Sequence, residues 1–215
     1  MYGMISGSVL GDFAAGMKFG ELALRLDARY ENPDVVAKVH MIVGNFINPW
    51  RNPIRTNVEY LSDGYKAGRV AGDLIYTGYC GLTQVYAMLT HGEQLDHFFR
   101  ESHKYLEFLR RTGDEDSADC IVIMQRMVLS LQGMTQERAG FGDDVFSEPE
   151  FLARLNAKKM KIPLVLYHIV KMRCAYVMGK FEDVLSHGDL ARPHLDAVIG
   201  MPWMPDAEML YALAA

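Results

Sequence analysis

Apolar residues recur at three- and four-residue spacing along almost the whole chain, and nowhere does strict alternation sit between Asn-Gly or Asp-Gly turns. That period belongs to helices with one buried stripe, so the pattern predicts an all-α protein. A helix over residues 14–30 is expected to bury Met17, Phe19, Leu22, Leu24 and Leu26, and Asn32-Pro33 stops it. Asp34 is expected to cap a second helix over 34–48, whose apolar side is Val35, Val39, Ile42, Phe46 and Ile47. Further helices are expected over 53–71, 73–89, 94–111, 114–132, 148–157, 162–178, 181–198 and 205–215, about ten helices in all. Short links between long amphipathic helices make antiparallel hairpins, and a succession of hairpins is a bundle or a solenoid.

Internal periodicity favours the solenoid. A glycine, a polar residue and a large apolar residue close three helices, at Gly11-Asp12-Phe13, Gly92-Glu93-Gln94-Leu95 and Gly179-Lys180-Phe181, separated by 81 and 87 residues. Each separation is twice a unit of about 40 residues, the length of a helix-hairpin repeat. The expected architecture is a TPR-like α-solenoid of antiparallel helix hairpins, one helical-repeat domain over residues 1–215. Stacked hairpins bury the faces that none can bury alone and leave a curved surface lined by the first helix of each pair. Residues 133–147, with Gly140-Phe141-Gly142-Asp143-Asp144, break the rhythm and read as an irregular insertion loop, functional or mobile. Met1 already lies near a helix and residues 204–215 open one with no obvious partner, so the chain reads as a fragment of a larger one. An unpaired terminal helix also predicts a homodimer.

Composition narrows the function more than the fold. Half of the 215 residues are hydrophobic and 23% are charged, which excludes a mainly disordered chain. A net charge of −5 with no long basic run argues against nucleic acid as a partner. The three cysteines, Cys80, Cys120 and Cys174, are widely spaced and lack a C-x-x-C pair, as expected for reduced core residues of a cytoplasmic protein. Apolar runs such as 121–124 and 162–166 stop far short of the roughly 20 residues a membrane span requires. Residues 1–9 lack the basic start and long apolar stretch of a signal peptide.

Four stretches carry a resemblance to a known family: Gly16-Met17-Lys18-Phe19-Gly20-Glu21-Leu22-Ala23-Leu24-Arg25-Leu26; Ala37-Lys38-Val39 through Gly44-Asn45-Phe46-Ile47-Asn48-Pro49-Trp50; Tyr65-Lys66-Ala67-Gly68 through Ala71-Gly72-Asp73-Leu74 with Gly78-Tyr79; and Gly92-Glu93-Gln94-Leu95. Together they resemble the helical-repeat region of large bacterial hybrid sensor kinases. In that family a protein-kinase-like domain and an AAA-type ATPase precede the repeats, and GAF and histidine-kinase modules follow. The likeness covers about residues 10–110; beyond it only helix order and the Gly179-Lys180-Phe181 turn match, and the pattern departs from the family around 140–147. The motifs are turns and packing positions, so the resemblance implies a relay or sensing scaffold and transfers no catalytic residue.

Motifs for chemistry are sparse. No Gly-x-x-x-x-Gly-Lys-Ser/Thr loop occurs, and Gly3, Gly7 and Gly11, like Gly78 and Gly81, read as close helix-packing positions. His91, His97 and His103 are six apart, which rotates each by about 120° from the last, so they cannot share an ion. His187 and His194 could share a face but lack a third ligand. Asp114-Glu115-Asp116 and Asp143-Asp144 read as a helix start and a solvated loop. No Gly-x-Ser-x-Gly elbow is present, and no metal, cofactor or nucleophile is expected.

The curved surface is the better candidate, with groove contacts expected from Asn45, Asn48, Gln84, Gln125 and His168. Lys158, Lys159 and Lys161 read as cations at a helix N-terminus that an anionic partner would relieve. The methionines, Met124, Met127 and Met172 among them, read mainly as core filling, and Trp50 and Trp203 as plugs or contact points at hairpin ends. The expected function is a non-catalytic scaffold of a bacterial signal-transduction kinase, joining proteins or adjacent domains of the same chain. The alternatives are a helical domain that senses a small-molecule ligand, and an all-α enzyme with a closed polar pocket.

Overall fold

A computed structural model describes residues 1–30 and 32–215. Among the described residues the chain is 81% helical and has no strand. α1 (Tyr2–Met4) runs into a π-helical turn (Ile5–Val9), followed by α2 (Phe13–Tyr30) and α3 (Pro33–Ile42). Then come α4 (Asn57–Ala71), α5 (Leu74–His91), α6 (Leu95–Thr112), α7 (Glu115–Leu131), α8 (Glu148–Lys158), α9 (Lys161–Val177), α10 (Phe181–Ala191) and α11 (Trp203–Ala214). The chain divides into two compact units, Met1–Ser117 with Gly200–Pro202, and Ala118–Ile199 with Trp203–Ala215.

Helix ends recur at a fixed interval. Gly72, Gly92, Gly113, Gly133, Lys159, Gly179 and Gly200 all have left-handed φ between 54° and 80°, and they lie 20, 21, 20, 26, 20 and 21 residues apart. At six of them the next amide bonds a carbonyl five residues back: Asp73 to Gly68, Glu93 to Met88, Asp114 to Leu109, Met134 to Leu129, Met160 to Leu155 and Lys180 to Ala175. This is the Schellman cap, which satisfies carbonyls orphaned at a helix end and uses glycine because a Cβ is disfavoured at such φ. The one long interval, 26 residues, contains the insertion expected at 133–147. Asp12, Asp73 and Asp114 each follow such a glycine and cap the next helix, their Oδ1 atoms accepting from the amides of Ala15, Tyr76 and Ser117 at 2.9, 3.0 and 3.1 Å.

In the first unit, helices meet where side chains are absent. A Cβ on Gly64 would lie 2.8 Å from Cys80 Sγ, one on Gly78 2.8 Å from Leu109 Cδ2, and one on Gly81 2.7 Å from Tyr105 Cδ1. The packing role expected of Gly78 and Gly81 is therefore present, as is that of Gly3, whose Cβ would meet Gly16 O at 2.9 Å. Gly11 differs: nothing lies within 4 Å of its Cβ position, and its φ of 79° makes it a turn residue. α2 also departs from expectation, because its inward face is Gly16 and Gly20, while Phe19, Leu22 and Leu26 are exposed. Close backbone approach outcompeted burial of the larger side chains. Asn32, and not Asp34, caps α3, its Oδ1 accepting from the Asp34 amide at 3.1 Å with Pro33 in the first turn. The helix expected to 48 loosens into a π-helical turn at Val43–Ile47 and a 3-10 turn at Asn48–Trp50, which contains Pro49 and precedes Pro53. Trp50 stacks on Phe13, ring centroids 5.2 Å apart.

In the second unit Met172, Ala175, Val184 and Leu210 form a core cluster. Met124, Met127 and Met172 are buried, as core filling requires. Pro193 ends α10, and the chain continues as a 3-10 turn, Arg192–Val198. Lys158 closes α8 and Lys159 is its left-handed cap, so both lie at a helix C-terminus, where the macrodipole favours cations. Only Lys161 opens a helix.

Candidate functional site

Four of the five residues expected to contact a ligand, Asn48, Gln84, Gln125 and His168, are buried. Asn48 is buried, its amide donating to Thr56 Oγ1 and Asn57 Oδ1, both at 2.6 Å, while its oxygen accepts from Asn52 at 2.7 Å. Gln84 is buried with its Oε1 accepting the Tyr105 hydroxyl at 2.8 Å. Gln125 is buried on α7. Asn45, in the π-helical turn, is half-buried. Asn48 and Gln84 knit helices and connections together, which is why polar residues stand on otherwise apolar faces.

His168 has a different setting. It is buried on α9 with its Nδ1 3.0 Å from Nδ1 of His187 on α10, so one ring donates and the other accepts. Burial, then the nearby His187, His194 and Lys171 charges, pushes His168 down to about 4. His187 is lowered as well, by burial first and then Lys171. Beside the pair, Glu148 accepts from Tyr167 Oη at 2.7 Å and from Lys171 Nζ at 2.9 Å with one oxygen, and from the Phe141 amide at 2.7 Å with the other. Burial works to raise the Glu148 carboxyl, but these hydrogen bonds outweigh it and hold it below its usual range.

This polar cluster anchors the insertion. Lys171 also donates to the Ala139 carbonyl at 2.7 Å, Lys180 to that of Arg138 at 2.8 Å, and Arg126 pairs with Asp143. Phe141 is buried against Tyr167. Residues 133–147 are thus a loop tethered by Arg126, Glu148, Lys171 and Lys180. Among the described residues no three His, Cys, Asp or Glu side chains are placed to hold a metal ion. Burial pushes the Cys80 and Cys174 thiols up to about 12, which makes both poor nucleophiles at neutral pH.

A second constellation lies on the surface of the first unit. Lys66 and Arg69 on α4 and Lys104 on α6 line a groove whose floor is Tyr65 and Tyr105, with Ser62 and Val70 at its edges. The two rings meet edge to face at 4.8 Å, and Lys104 Nζ lies 5.7 and 5.2 Å from their centroids. Burial raises the Tyr65 hydroxyl, and the positive charges of Arg69 and Arg111 act against that rise.

No protein-family model, curated protein or solved structure matches the chain. Its chemistry therefore rests on these two constellations. Sequence reasoning named His168 as a groove contact, whereas it is buried beside His187, from which 19 residues and a helix turn separate it. It missed the groove, whose two tyrosines stand 40 residues apart on different helices. No helix among the described residues is long and apolar enough to cross a membrane.

Proposed function

We propose that the chain is a non-catalytic helical-repeat scaffold, a TPR-like α-solenoid of antiparallel hairpins that mediates contact between proteins or domains in a bacterial signal-transduction kinase. The observation that carries this reading is the spacing of left-handed helix caps at 20 or 21 residues, interrupted once at the insertion. Two such intervals make a hairpin unit of about 40 residues, within the range of helix-hairpin repeats. The repeated Gly-Asp turns at Gly72-Asp73 and Gly113-Asp114, with the same side-chain cap, add a match in sequence and in hydrogen bonding. The kinase context rests on the resemblance of residues 10–110 to the sensor-kinase repeats.

Exposed apolar surface supports a contact role. Phe19, Leu22, Leu26 and Tyr30 are exposed at spacings that place them on one face of α2, and Lys18, Arg25 and Arg29 stand along its edge. The source genome tests the context directly. A reading frame that continues upstream into a Walker A loop and downstream into a histidine-kinase phosphoacceptor helix supports it, and stop codons on both sides contradict it.

A further inference from the structure

The chain carries a net charge of −5, yet three cations crowd one short groove in its first unit. Lys66 and Arg69 are three residues apart and project from one side of α4, while Lys104 reaches in from α6. Arg111, near the end of α6, adds a fourth positive charge that acts on Tyr65. Two carboxylates offset them in part. Asp63 lies 3.4 Å from Lys66 and Glu101 3.1 Å from Lys104, each within one turn of its own helix. These are exposed pairs, and such pairs contribute at most about 1 kcal/mol, so an incoming anion can displace them.

The floor is apolar but closed. Tyr65 and Tyr105 are buried, packed edge to face, and Lys104 lies above both rings. No aromatic face is left for a nucleobase to stack on, which removes the usual platform for single-stranded nucleic acid. At the rim Val70 is 86% exposed, one residue from Arg69. A row of cations beside a single exposed aliphatic side chain fits an extended segment that carries acidic residues around one apolar residue.

We propose that the groove between α4 and α6 binds an acidic peptide segment of a partner protein or domain, with Lys66, Arg69 and Lys104 pairing with its carboxylates and Val70 contacting its apolar side chain. This rests on the scaffold reading and names the partner chemistry of that surface. Affinity would come largely from charge, so it would fall as salt screens the pairs.

The test uses the full chain and an array of fluorescein-labelled nine-residue peptides, each with two to four Asp or Glu residues around one Leu or Phe, beside Asn and Gln counterparts. Fluorescence anisotropy is read at 50 and 200 mM salt, with a twelve-residue oligothymidylate as competitor. The expected result is saturable binding of acidic peptides, at least tenfold weaker for the Asn and Gln counterparts and for Arg69→Glu. Lys104→Gln, whose side chain is half exposed, should weaken binding three- to tenfold while leaving the thermal midpoint within 2 °C of the parent. Binding of no acidic peptide, equal binding by Arg69→Glu, or preference for the oligonucleotide would overturn the proposal. Those outcomes leave the repeat reading untouched, because helicity and cooperative unfolding after deletion of residues 73–113 test that reading separately.

Discussion

Acid should destabilise the second unit through His168 before it titrates most carboxylates. The folded pKa of His168 is about 4 and its ordinary value is 6.5, so between these limits the unfolded chain binds the extra proton. A depressed histidine contributes stability to the folded state that is present at high pH and lost as pH falls. Each pKa unit is worth about 1.4 kcal/mol, so linkage predicts a loss of about 2 kcal/mol between pH 7 and 5 and about 3 kcal/mol by pH 4. His187 is lowered too and adds loss of the same sign. The geometry explains the cost: a proton on the accepting Nδ1 sets two N–H groups against each other across 3.0 Å, and the Lys171 charge lies close by. Glu148 acts in a separate window, because its lowered pKa contributes stability that is full above the ordinary carboxylate value and is lost as pH falls below it. The assay is urea denaturation at half-unit steps from pH 7.5 to 4.5, followed by the fluorescence of buried Trp203 in a Trp50→Phe background. His168→Gln keeps a polar side chain but cannot protonate, and should flatten the slope between pH 6.5 and 4.5 by at least half. A wild-type loss below about 1 kcal/mol by pH 5, or an unchanged slope in His168→Gln, would refute the reasoning.

Three further outcomes follow from the packing. Gly64→Ala places a Cβ 2.8 Å from Cys80 Sγ and should destabilise the first unit by about 1 to 3 kcal/mol, read as a shift of the urea midpoint at constant slope. Lys171→Met leaves the partly buried Glu148 without its cation; it should cost about 1 to 3 kcal/mol and speed proteolysis between residues 134 and 147, while Glu148→Gln/Lys171→Met recovers part of the loss. Gly92→Ala forces a side chain into φ 80° and should cost about 1 to 2 kcal/mol by thermal or urea unfolding, whereas Gly142→Ala, with its nearest contact at 3.6 Å, should cost less.

Helix number and order were legible because the apolar period and the glycine and proline stops are local signals, and ten expected helices correspond to α2 through α11. Which face of a helix turns inward was less legible. α2 carries more apolar bulk on the side it exposes than on its Gly16 and Gly20 face, and only the approach of Gly3 and Ile47 to those glycines decides the matter. The polar candidates show the same limit. Asn48 and Gln84 look like groove contacts on a helix wheel, yet each has a partner at least nine residues away that occupies its hydrogen bonds. The tether of residues 133–147 was invisible for a related reason, since Lys171 lies 32 residues from the carbonyl it holds. Pairings of that range depend on how helices distant in sequence pack, and no local rule encodes them.

Deleting one repeat tests the central claim most directly. Gly72-Asp73 and Gly113-Asp114 are equivalent turns, so removing residues 73–113 joins Gly72 to Asp114 with the Schellman cap and the aspartate cap preserved. Helical repeats are stabilised by neighbouring units, and the account predicts a shortened protein that keeps its helicity per residue by circular dichroism and unfolds cooperatively in urea. A collapse of ellipticity, or loss of a cooperative transition, would contradict the repeat architecture and the scaffold function proposed from it.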